Sequence, residues 1–164
     1  MNITNLINTL KFIPDDSRKK VALSSITPHI NEIKWTDLVD IIGCYSTDPN
    51  KIDAITIFIS IVYRRLSVEN VWNTNYIPLI LQQFSADSGK LAALKILDPF
   101  IFYYDQQSLA NVINAFSSDC AKLEAISLAI TATDILSNQI TATVVPLLSM
   151  NESKTKALQL INSC

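Results

Sequence analysis

Glycine is almost missing from this chain. Two glycines in 164 residues leave few places for the tight turns that all-β folds need, which disfavours that class. Histidine occurs once, as His29, and the three cysteines, Cys44, Cys120 and Cys164, form no C-x-x-C pair. An odd, scattered cysteine set with a lone histidine supplies neither a zinc site nor a disulfide framework. Reduced thiols in a cytoplasmic protein are the expectation. Charge is scarce as well. Thirteen Lys and Arg stand against fifteen Asp and Glu, for a net charge of −2 and a pI near 5.3. That balance speaks against nucleic-acid binding through phosphate neutralisation.

Other signatures are absent too. The opening MNITNLINTLKFIPDDSRKK has no basic stretch followed by an apolar one, so it does not read as a signal peptide. The longest apolar run, Ile52 to Leu66, contains Asp53 and ends in Arg64 and Arg65. It is too short to span a bilayer and reads as a buried helix, leaving membrane contact peripheral at most. No G-x-G-x-x-G, P-loop, H-E-x-x-H or G-x-S-x-G occurs. His29 has no nucleophile signature beside it and reads as a surface histidine near a helix end. Neither an enzyme, a cofactor nor a metal site is expected.

What the chain has in abundance is apolar side chains, 49% of the total, enough for one domain over residues 1–164 with a substantial core. It also repeats itself. Laying residues 13–55 over residues 84–126 gives 14 identical pairs among 43. A shorter unit, D-x-x-K-x-x-A-[LI], starts at Asp16, Asp48, Asp87 and Asp119, with a variant at Asn151. The spacings are 32, 39, 32 and 32 residues, so one repeat carries seven extra.

Upstream of each motif lie apolar residues at helical spacing, such as Leu109, Val112, Ile113 and Phe116. Each repeat therefore predicts two short helices, with the Asp or Asn as N-cap of the second. Asn2, Asn73, Asp105 and Ser137 are the expected caps of first helices, with Thr36 or Asp37 serving the repeat that has Lys34. The alanine fits a close helix approach. Lys20 and Thr155 replace the apolar Ile52, Leu91 and Leu123 of inner repeats, as water-facing ends would. The prediction is an all-α chain, a right-handed α-solenoid of about five helix-turn-helix repeats over 2–33, 34–66, 67–104, 105–136 and 137–164.

The signature [FY]-x-x-D-x-x-K-[LI]-x-A-[LI], clearest from Tyr45 to Ile130, resembles a helical-repeat family known as domain of unknown function 4476. Ile13, Leu148 and Asn151 depart from it. The resemblance implies helical repeats and transfers no functional residue.

Two surfaces are candidates for function. The seven extra residues fall within Tyr63 to Tyr76, where Arg64, Arg65, Trp72 and Tyr76 are of types enriched at interaction hot spots. They suit a scaffold or adaptor that binds a segment of another protein. The alternative is a lysine edge, formed by Lys19, Lys51, Lys90, Lys122 and Lys154, that receives an anionic lipid or acidic ligand. A lysine in the first turn opposes its own helix dipole, so intrinsic preference does not explain the row. Self-association is a further possibility for so apolar a chain.

Overall fold

The computed structural model describes residues 2–30, 34–62, 76–100, 104–132 and 136–163. Among them it is all-helical, with no strand. The first helices of the repeats are α1 (Ile3–Phe12), α3 (Trp35–Gly43), α5 (Tyr76–Leu81), α7 (Gln106–Asn114) and α9 (Ser137–Val144). The second helices are α2 (Asp16–Ile26), α4 (Asp48–Val62), α6 (Asp87–Leu97), α8 (Asp119–Ala129) and α10 (Asn151–Asn162). None of these helices is long and apolar enough to cross a membrane.

The chain divides into two compact units, Met1–Phe84 and Ser85–Cys164. In the first, α1 packs on α3 and α3 on α5, while α2 packs on α4. In the second, α7 packs on α9, while α6 packs on α8 and α8 on α10. Within each unit, first helices thus lie against first helices and second against second. The result is a two-layer stack.

The periodicity explains the layers. The first helices α3, α5 and α7 bury residues at i, i+3 and i+4, and the residue at i+7 closes them: Leu38, Ile41, Ile42 and Tyr45 in one repeat, Leu109, Val112, Ile113 and Phe116 in another. Burying each such side chain contributes roughly 1.5–3 kcal/mol. Of the first-helix caps, Asn2 accepts from Thr4 N–H at 2.9 Å and Asp105 from Ser108 N–H at 2.6 Å. Asp37 accepts from Lys34 N–H at 2.7 Å, so it serves its helix from the third position. Ser137 proves to be the first helical residue, after Leu136, and Asn73 lies outside the described residues.

The recurring alanine is fully buried at 54, 93, 125 and 157 but only half-buried at 22. Leucine or isoleucine, one place further on, is fully buried at 23, 55, 94 and 126, yet Leu158 is 38% exposed. The two exceptions fall in the first and last repeats. Within each unit, the alanine therefore faces the preceding repeat and the leucine the following one.

Lys20 corrects the expectation of a water-facing end. Its position faces the next repeat, where its ammonium meets Asp53 at 2.8 Å and Asn50 at 3.2 Å. A polar contact stands there in place of an apolar one.

Substituting Ala125→Leu should destabilise the protein by about 1–3 kcal/mol through overpacking, read from the urea midpoint. Ala22→Leu, with no repeat before it, should cost clearly less; equal losses would refute the assigned facing.

Candidate functional site

The repeated aspartates are not the N-caps of their own helices. Each is the first helical residue, and the cap is the residue before it: Asp15, Ala86, Ser118 and Met150 for α2, α6, α8 and α10. Two of these caps bond their own helix, Asp15 to Arg18 N–H at 3.1 Å and Ser118 to Ala121 N–H at 3.3 Å.

The repeated carboxylates reach forward instead. Asp16 accepts from Ser46 N–H at 3.1 Å, Ser46 Oγ at 2.7 Å and Asn50 Nδ2 at 2.8 Å. Asp87 accepts from Ser117 N–H at 3.0 Å, Ser118 N–H at 2.9 Å and Ser118 Oγ at 3.0 Å. Asp119 accepts from Ser149 N–H at 2.9 Å and Met150 N–H at 2.8 Å. Donors just before a helix start have no partner within that helix. The aspartate of one repeat thus serves the second helix of the next.

The lysines complete this contact. Lys19 Nζ donates to the Cys44 carbonyl at 2.5 Å and Lys51 Nζ to that of Gln83 at 2.5 Å. Lys90 Nζ donates to the Ala115 carbonyl and Lys122 Nζ to the Leu147 carbonyl, both at 2.7 Å. Every acceptor lies just before the residue that closes the next first helix, at its electronegative end. The lysine therefore sits badly with its own dipole and well with the next one.

Three of these lysines also face their own aspartates, Lys19–Asp16 at 2.9 Å, Lys51–Asp48 at 3.6 Å and Lys90–Asp87 at 3.5 Å. Lys19 lies 5.7 Å from the Tyr45 ring centre and Lys51 5.9 Å from that of Phe84, close enough for cation–π attraction. The closing aromatics Tyr45 and Phe84 thus form the floor under the preceding repeat's ammonium.

The electrostatics agree with the geometry. Burial raises the Asp16 carboxyl, but hydrogen bonds from Lys19, Ser46 and Asn50 outweigh it and hold the group well below the usual range. Burial raises Asp87 too, yet the Ser117 and Ser118 N–H groups, the Ser118 hydroxyl and the Lys90 charge bring it to about 2. Bonds from Met150 and Ser149 N–H lower Asp119 against the effect of burial.

No family model, curated protein or solved structure gives a significant match to this chain.

The lysines of the proposed anionic edge are therefore placed at the junctions between repeats. Lys19, Lys51, Lys90 and Lys122 turn their ammonium groups onto backbone carbonyls rather than outward. Lys154 differs, its ammonium making no hydrogen bond or ion pair among the described residues. Of the insertion residues, Tyr76 is the half-buried first residue of α5, while Arg64, Arg65 and Trp72 lie outside the described residues. Tyr104 belongs to the core and His29 is exposed. One signal for the forward contact stands in the sequence: serine follows the closing residue at 46, 85, 117 and 149, and proline does so at 14.

Replacing Lys90 by Met leaves the Ala115 carbonyl and the Asp87 carboxylate without their cation. The loss should be about 1.5–3 kcal/mol in urea unfolding, whereas Lys154→Met should be nearly neutral. Equal effects would show that the carbonyl contact does not matter.

The depressed carboxyls also set a pH dependence. Above the ordinary carboxyl value of about 3.9 the aspartates are ionised in both folded and unfolded chains, and their stabilisation is complete. Below it the unfolded chain takes up protons first, so stability falls between about pH 4 and pH 2. Asp37 and Asp98, which burial raises, act in the opposite sense and are common to any comparison. Asp87→Asn should therefore be less stable at pH 6 and lose less than the parent between pH 4 and pH 2. Parallel profiles would contradict the assignment.

Proposed function

We propose that the chain is a non-enzymatic scaffold that binds a segment of another protein along its helical-repeat surface. One observation carries this reading. The residues alike in every repeat are turned to the junctions, while equivalent outward positions differ. The position directly after the repeated Asp or Asn is exposed in all five repeats and holds Ser17, Pro49, Ser88, Cys120 and Glu152. A constant frame that presents varied side chains is what a recognition surface requires.

In this reading the five helical pairs continue one another as a right-handed α-solenoid of the kind implied by the resemblance to domain of unknown function 4476. It works in the cytoplasm, with its thiols reduced. The stretch 63–76, with Arg64, Arg65, Trp72 and Tyr76, is the proposed contact for the partner. The alternative, an anionic ligand on the lysine row, draws on Lys154 alone among the described lysines of that row.

Affinity capture from the native cell should retain a specific protein on the parent and lose it on an Arg64→Ala, Arg65→Ala, Trp72→Ala variant of unchanged helicity. The captured protein should then bind the purified chain directly. An unchanged set would move the contact away from the insertion, and no specific capture by either form would count against the scaffold itself.

A further inference from the structure

The junction between repeats has two halves. One is the face of a second helix, presenting D-x-x-K and the Leu or Ile; the other is the following repeat's loop and first-helix end. The last repeat presents the first half on an exposed face of α10. Asn151, Lys154, Thr155 and Leu158 stand at i, i+3, i+4 and i+7 on α10, where the previous repeat has Asp119, Lys122, Leu123 and Ile126. Asn151 and Thr155 are exposed, and Leu158 is 38% exposed against 1% for Ile126. The first repeat presents the other half. Its Phe12 carbonyl corresponds to those of Cys44, Gln83, Ala115 and Leu147, which take the lysines. The same repeat exposes two large apolar side chains, Phe12 at 88% and Val21 at 67%.

The two halves depart from the internal junction in matched ways. Pro14 stands where Ser46, Ser117 and Ser149 donate an N–H to the aspartate, and a proline has no such donor. Asp15 follows it with a carboxylate. An aspartate arriving there would lose a donor and meet a like charge. The arriving residue is Asn151, neutral and able to donate its amide to that carboxylate. Arg18 occupies the position of Asn50 and Val21 that of Asp53, the partners of Lys20. A lysine arriving opposite Arg18 would be repelled; the arriving residue is Thr155. Lys154 carries the cation that the Phe12 carbonyl accepts.

We infer that the chain associates with itself head to tail, the α10 face of one molecule docking on the α1–α2 end of another as a variant of the internal repeat junction. The contact is heterologous, so each molecule keeps one head and one tail free to add further molecules.

Light scattering on the purified full chain tests this, using Phe12→Asp at the head and Leu158→Asp at the tail. Both positions are exposed enough for the fold to persist, which circular dichroism checks. The parent should rise above its 18.2 kDa monomer mass with concentration. Each variant alone should associate at least tenfold more weakly. An equimolar mixture should form a species of twice the monomer mass and grow no further, because one variant retains a tail and the other a head. A parent that remains monomeric up to about 1 mM would overturn the inference. So would association that either variant leaves unchanged, a mixture that does not pair, or one that grows past the dimer.

Discussion

The structure depends on one contact, in which the first turn of a second helix holds the next repeat at both ends of its loop. The aspartate satisfies the N–H groups that open the next second helix, and the lysine satisfies a carbonyl that closes the next first helix. Helices of six to fifteen residues are marginal by themselves in water. Their orphan terminal groups are a large share of their backbone, and apolar packing cannot serve those groups. A motif that supplies a donor and an acceptor three residues apart, on one face, answers both needs at once.

The contact also resolves a local conflict by a non-local arrangement. Within its own helix, a lysine in the first turn is unfavourable and an aspartate there is favourable. Across the junction both are favourable, and the ion pair between them keeps the buried ammonium and carboxylate from standing alone. Removing either partner strands the other together with a backbone group, so neighbouring repeats stabilise each other beyond their apolar contact. The closing aromatic belongs to the same arrangement, since Tyr45 and Phe84 lie beneath Lys19 and Lys51.

Much of this was legible in the sequence, and the rest was not for a definable reason. Helix number, repeat spacing and the buried first-helix stripes follow from local periodicity. The roles of Asp16, Lys20 and the lysine row do not, because their partners lie about thirty residues on. A local reading turns Asp16 into a cap of its own helix, although Asp15 fills that place. It also makes Lys20 a water-facing end, although Asp53 receives it. The serine after each closing residue was the available clue, meaningful only once the aspartate is seen to point forward. For Arg64, Arg65 and Trp72 the insertion breaks the repeat register, so no equivalent positions in other repeats can guide their reading.

The placement of charge narrows what the outer surface can do. Only thirteen cations occur in the chain, and Lys19, Lys51, Lys90 and Lys122 are held on carbonyls, with Lys20 on Asp53 and Lys95 on Glu124. Lys156 is paired with Glu152 as well, which leaves Lys11, Arg18, Lys34 and Lys154 among the described cations. A cation held against a carbonyl or a carboxylate adds little to a long-range positive field. The junctions therefore draw positive charge inward, to the places where one repeat meets the next.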